Sequence, residues 1–166
     1  MPVSSDGAAH SNDGTPEARA ALRRAMSLHS GGDIARALEA GERAIALAPE
    51  FAEAHGYLGN TLVTRARRFA DGLVSMNRAA ELAPEDPTIL YTAGWCHEYV
   101  ANALDRPRGN HQAVEQDAPA LYAIARAYFL RALAAHPDDQ MRGDIEDMLD
   151  VVAAVTGEPW ADDERI

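Results

Sequence analysis

Three stretches decide the fold: Arg43-Ala44-Ile45-Ala46-Leu47-Ala48-Pro49-Glu50, Arg78-Ala79-Ala80-Glu81-Leu82-Ala83-Pro84-Glu85 and Arg131-Ala132-Leu133-Ala134-Ala135-His136-Pro137-Asp138. Each holds an alanine five residues before its proline, at Ala44, Ala79 and Ala132. Each alanine follows a small residue seven positions upstream, at Ala37, Gly72 and Ala125. The pattern small-x6-Ala-x4-Pro therefore occurs three times at identical spacing. Small residues seven apart share one helical face and let a neighbouring helix approach closely. Proline then ends the helix, because it lacks an N–H and disfavours helix in the residue before it.

A second helical segment precedes each stretch, carrying Ala25 and Leu28, then Leu58, Gly59 and Leu62, then Ala93, Gly94 and His97. The spacing predicts helices near 17–30, 33–47, 51–65, 69–83, 87–103, 118–135 and 139–156. Start signals agree: Thr15-Pro16-Glu17, Asp86-Pro87, Asp117 with Pro119, and Asp138-Asp139 each pair a capping side chain with a proline or acid in the first turn. Gly31-Gly32-Asp33 reads as a turn, and Gly157 followed by Pro159 closes the last helix.

These residues resemble the tetratricopeptide repeat (TPR) family, whose pattern is W-x2-L-G-x2-Y, then A-x3-F, then P, over about 34 residues. The similarity covers roughly residues 18–138. His55, Leu58, Gly59 and Leu62, then Gly72 and Met76, fill the motif in repeat two. Leu90, Ala93, Gly94 and His97, then Ala125 and Phe129, fill it in repeat three. Repeat one is the most degenerate, with Ala21, Arg24, Ala25 and Leu28, then Ala37 and Gly41. The resemblance implies an all-α fold of about seven helices, a right-handed superhelical stack of antiparallel helix hairpins (an α-solenoid). The expected organisation is a disordered leader over 1–16 and a TPR domain over 17–156. Its repeats span about 18–51, 52–86 and 87–138, the third with an insertion over 101–117. A capping helix over 139–156 and an acidic tail over 157–166 follow. Within the insertion, Asp105 to His111 reads as an exposed loop. Met141, Ile145, Met148, Leu149, Val152 and Val155 form the apolar stripe of the cap, and Trp160 is expected to pack back on the last helices.

Composition bounds the function. The chain has 166 residues, 47% hydrophobic and 25% charged, a globular profile. Alanine fills 34 positions, and all 15 basic residues are arginine. The net charge of −11 argues against nucleic-acid binding, which needs a cationic surplus. The charge is uneven: residues 17–85 hold nine arginines and nine acids, whereas residues 86–166 hold six arginines and fifteen acids. No apolar run approaches the roughly 18–20 residues of a membrane span. The first fourteen residues lack a signal-peptide pattern, so a cytoplasmic location is expected. With Cys96 the chain's one cysteine, an internal disulfide is ruled out, and Cys96 reads as a small buried hydrophobe. There is no Gly-rich phosphate loop, no His-x3-His pair and no nucleophile elbow, and the six histidines are scattered. No enzyme activity, cofactor or metal is expected.

Binding signals are stronger. The resemblance places the first helix of each repeat along a concave groove that holds a partner protein or peptide. Repeat three would present Thr88, Tyr91, Thr92, Trp95, Glu98 and Tyr99 to it. Tyr91, Trp95 and Tyr99 lie four apart, so they make one stripe in a chain of ten aromatics. Repeat two would add Tyr57, Asn60, Val63 and Thr64, with Asn60 bonding a peptide backbone, and repeat one Arg23 and Met26. The stripe reads equally as core covered by the insertion or the last helix. Family members that hold chaperone tails clamp a terminal carboxylate with lysine, arginine and asparagine. Here Arg19, Arg23 and Asn60 are present, but there is no lysine, and Thr88 and Thr92 replace the basic groups. The expected function is a protein–protein interaction module (adaptor, scaffold or assembly factor). The alternatives are a secretion-type chaperone for a hydrophobic client, a small-molecule pocket under the insertion, or a homo-oligomer built through the repeat ends.

Overall fold

A computed structural model describes residues 13–160, which form seven α-helices and no strand. The helices are α1 (Pro16–Ser30), α2 (Ile34–Leu47), α3 (Ala52–Thr64), α4 (Phe69–Leu82), α5 (Pro87–Asp105), α6 (Ala118–Ala134) and α7 (Asp139–Thr156). The capping residues read from sequence perform that role. Thr15 Oγ1 accepts from Ala18 N at 3.1 Å. Asp86 Oδ1 accepts from Thr88 N and Ile89 N at 2.9 and 3.2 Å. Asp117 and Asp138 accept from Ala120 N and Met141 N at 3.0 and 2.8 Å. Gly157 takes the left-handed conformation (φ 75°) that ends α7. By contrast, α3 and α4 begin at Phe51 and Arg68 with no side-chain cap, so packing carries their starts.

The helices pack as consecutive pairs, α1 with α2, α3 with α4 and α5 with α6, and α7 lies on α6. The α3–α4 pair is antiparallel: Gly56 faces Ala79, Gly59 faces Met76 and Val63 faces Gly72, one helix ascending as the other descends. At Gly59 and Gly72 the two backbones touch. A Cβ added to Gly59 would lie 2.8 Å from Gly72 O and from Met76 N, and one added to Gly72 would lie 2.6 Å from Val63 Cγ2. Within α5–α6, the face of Gly94 is covered by the Phe129 ring, 2.7 Å from where a Cβ would stand. The first pair differs. At Gly41, the position that holds Met76 and Phe129 in the later pairs, the space is filled by Tyr57 of α3, 3.3 Å from an added Cβ. A side chain from the next pair thus supplies the missing volume and ties the first two pairs together.

The principal core runs through α3 to α7 and includes Phe69, Met76, Leu90, Phe129, Ile145, Leu149 and Trp160. A smaller cluster around Leu22, Ala44 and Phe51 serves the first pair. As expected, Trp160 folds back: it is buried and its indole N–H donates to Asp150 Oδ1 at 2.7 Å. The apolar stripe of α7 is narrower than read from sequence, since Val155 is 48% exposed.

At the start of the segment read as an insertion over 101–117, α5 runs on to Asp105, two residues past the expected end at 103. The following stretch is tied to the α3–α4 turn rather than free: Gln112 N donates to Arg67 O at 3.0 Å, Asp71 N donates to Gln112 Oε1 at 3.0 Å, and Arg67 Nε donates to Asn110 O at 2.9 Å. His111 stacks on Phe69 with ring centroids 4.8 Å apart. Polar sequence correctly marked the exposed stretch 106–110, but the returning half is fixed by backbone groups of the turn.

The backbone contact predicts opposite outcomes for one substitution at two glycines. Gly59→Ala has no room and destabilises the fold by about 1–3 kcal/mol despite alanine's helix preference. Gly143→Ala, in α7 with nothing within 4 Å of the added Cβ, stabilises it by about 0.5–1 kcal/mol. Urea unfolding followed by circular dichroism reads both, and a Gly59→Ala variant as stable as wild type would contradict the tight α3–α4 approach.

Candidate functional site

On α5, Tyr91, Trp95 and Tyr99 form the row that their spacing predicts. All three are half-buried: one side packs on the core and the other remains open. Trp95 and Tyr99 stack at 5.3 Å, Tyr99 meets Phe69 edge-on at 6.3 Å, and Tyr91 leans on Phe129 at 5.9 Å. The row joins two different electrostatic environments. At one end, burial raises the Tyr91 hydroxyl above its ordinary pKa, with Asp144 and Asp147 of α7 adding to the rise. At the other end Tyr99 borders a small pocket that also takes in Glu98, Asn102, Arg67, Arg106 and Arg108. Glu98 is half-buried there, and loss of solvation raises its carboxyl above the usual range.

The remaining sequence candidates are more committed than their positions suggested. Asn60 is half-buried and its Oδ1 accepts from the Cys96 thiol at 3.7 Å, so that oxygen faces α5. Thr64 spends its hydroxyl on Asn60 O at 2.8 Å. Tyr57 donates to Ala25 O at 3.1 Å and meets the His29 ring edge-on at 6.0 Å, bridging the first two pairs. Val63 does not face a groove: it is fully buried against Gly72, because its face of α3 points at α4. Arg23 and Met26 lie exposed on α1. Cys96 is fully buried as expected, and burial pushes its thiol up to about 12, which makes it a poor nucleophile.

A cavity of about 860 Å³ lies elsewhere, between α4, α6 and the returning half of the insertion at Ala113–Gln116. Its walls are mainly apolar, including Leu73, the 70%-exposed Val74 and Ile124. Asn77, His97 and Tyr128 line it together with Glu81, Glu115, Gln116 and Arg131. Tyr128 donates to Asn77 Oδ1 at 2.8 Å. His97, 2% exposed, lies against the Tyr128 ring with centroids 5.2 Å apart. Its Nδ1 is 2.7 Å from Ala93 O; a carbonyl only accepts, so Nδ1 carries the proton and Nε2 is left as an acceptor. Sequence reasoning did not assemble this group, because Asn77 and Tyr128 stand 51 residues apart. The legible signal was His97 itself, at an inward position of the repeated motif. Among the described residues, no group of three or more His, Cys, Asp or Glu side chains could hold a metal ion, and no helix is long and apolar enough to cross a membrane.

Burial holds the His97 imidazole below its usual 6.5, although the Ala93 carbonyl opposes the shift. Below pH 6.5 the unfolded chain therefore takes up this proton before the folded chain does, and stability falls as pH drops from 7 towards 5. Glu98 acts with the opposite sign, its contribution being present below its usual 4.5 and lost as pH rises. The difference between wild type and His97→Gln isolates the imidazole. The variant's pH–stability slope is expected to be shallower, by at most about 1.4 kcal/mol per pH unit. Equal slopes in urea titrations would show that His97 titrates normally.

Comparison with known proteins finds no family model that matches the chain and no curated relative.

Proposed function

We propose that this chain is a protein–protein interaction module of the tetratricopeptide repeat kind, acting in the cytoplasm as an adaptor, scaffold or assembly factor. In this reading the antiparallel pairs continue into a right-handed superhelix, and α1, α3 and α5 line its concave side. The observation that carries the reading is the half-exposed row of Tyr91, Trp95 and Tyr99. Large aromatics with a polar edge or tip dominate binding hot spots, and a half-buried row offers rigid apolar area at little entropic cost. A partner segment would lie along the row, its apolar side chains on Trp95 and Tyr99. Its orientation would follow the charges, with a basic residue towards Asp144 and Asp147 and an acidic one towards the arginines beyond Tyr99. Asn60 would contribute its amide N–H group, since its oxygen already faces Cys96. The test is affinity capture from a native lysate with wild type and the double variant Trp95→Ala/Tyr99→Ala, matched for helical circular dichroism. A protein recovered by the wild type and lost, or reduced at least roughly tenfold, in the variant supports the row as the anchor. Equal recovery by both moves the site off α5.

The α4–α6 cavity favours a second reading, a small-molecule pocket beside the insertion. A mainly apolar cleft with a few converging polar groups is the usual form of such sites. Asn77, Tyr128 and the unprotonated Nε2 of His97 would orient a largely apolar ligand that carries a hydrogen-bond donor. A thermal-shift screen of apolar metabolites checks it. A ligand that stabilises wild type but not Val74→Arg, a substitution on the cavity wall, supports this reading.

A further inference from the structure

The strongest unassigned feature is the pocket of about 300 Å³ between the α3–α4 turn and the end of α5. Three arginines line it, in a protein whose net charge is −11. Arg106 and Arg108 follow α5, where cations complement the carbonyl end of the helix dipole. Arg67 stands at the corresponding place after α3, but its geometry is unusual. It occupies the left-handed region at φ 53°, a strained conformation for a side-chain-bearing residue. Its backbone carbonyl accepts from Gln112 N, its Nε donates to Asn110 O, and its guanidinium lies 5.2 Å over the Phe69 ring. The insertion therefore holds Arg67 in one orientation, and in that orientation its Nη2 is buried without a hydrogen-bond acceptor. A buried cationic donor left unpaired is costly, and a bound acceptor removes the cost. None of the ion pairs Asp33–Arg36, Arg68–Asp71 and Arg78–Glu81 involves these three arginines.

We propose that this pocket is an anion site that takes the phosphoryl group of a phosphate monoester, with the fixed guanidinium of Arg67 at its base and Arg106 and Arg108 closing over it. Charge and donor number select phosphate over carboxylate. Three guanidiniums and Glu98 leave a surplus of about two positive charges, which a phosphate dianion balances. The guanidiniums also offer more N–H groups than the two oxygens of a carboxylate accept, whereas a phosphoryl group presents three oxygens. Tyr99 lines the same pocket and continues into the Trp95 stack, so an aryl or other planar ester group has an apolar surface beside the phosphate. The site shares Tyr99 and its arginines with the partner-binding reading but does not rest on that reading.

The test is a nuclear magnetic resonance titration of the full chain with inorganic phosphate, phenyl phosphate and succinate at constant ionic strength. It follows backbone amides and arginine Nε–H signals. Saturable shifts at Arg67, Arg106 and Arg108 with both phosphates, with phenyl phosphate the tighter, are expected. Succinate should bind at least roughly tenfold more weakly. Arg67→Gln keeps the backbone strain but loses the Nε bond to Asn110 O and the packing on Phe69, so it is at risk of unfolding, and Arg108→Gln, on an exposed residue, is the second variant. Loss of one charge-assisted contact should weaken phosphate binding roughly tenfold in Arg108→Gln with the amide spectrum otherwise unchanged. No saturable shifts, succinate equal to phosphate, or an Arg108→Gln variant that binds as wild type would each overturn the proposal.

Discussion

The contact on which the rest depends is the meeting of the α3 and α4 backbones at Gly59 and Gly72. Because neither residue carries a Cβ, Gly72 O and Met76 N lie where a side chain at Gly59 would stand. That distance sets how deeply Val63, Met76 and Leu73 can interlock, and these residues continue directly into the main core. It also compensates for the two uncapped helix starts: α3 and α4 have no side-chain cap, and packing holds them instead. The α5–α6 pair solves the same problem differently, with one glycine receiving the Phe129 ring. In the α1–α2 pair, Gly41 receives Tyr57 from the next pair, so the weakest repeat in sequence is also the one that borrows its filling from a neighbour.

The insertion builds outward from this frame. Its returning half exchanges backbone and amide hydrogen bonds with the α3–α4 turn, and His111 covers the open face of Phe69. Phe69 in turn meets Tyr99, so one ring relays the position of the insertion to the end of the aromatic row. The same crossing forms a wall of the α4–α6 cavity at Ala113–Gln116 and orients Arg67. A segment with no regular structure thus shapes three surfaces, because its hydrogen bonds go to a turn whose backbone groups no helix satisfies.

Much of the secondary structure was legible along the chain. Capping by Thr15, Asp86, Asp117 and Asp138 is a local matter: a side-chain oxygen reaches an amide three residues on, whatever the rest of the molecule does. Helix ends before Pro49, Pro84 and Pro137 are equally local, as the ring of proline acts on its own neighbours. The spacing of Tyr91, Trp95 and Tyr99 put them on one face for the same reason, and Cys96, one position on, necessarily turned inward.

What sequence alone determined, then, are properties that arise within a few residues: seven helices, their caps and stops, the small faces that let them approach, and the aromatic row. Tertiary structure decided which groups meet across tens of residues. Val63 turned to α4 instead of the solvent because Gly72 left space for it. The hydroxyl of Tyr57 went to Ala25, Asn77 found Tyr128, and Arg67 was held beside Arg106 and Arg108 by the carbonyl of Asn110. No periodicity encodes those meetings, since each is set by the distance of closest approach between helices and by where a long connection finds its hydrogen bonds.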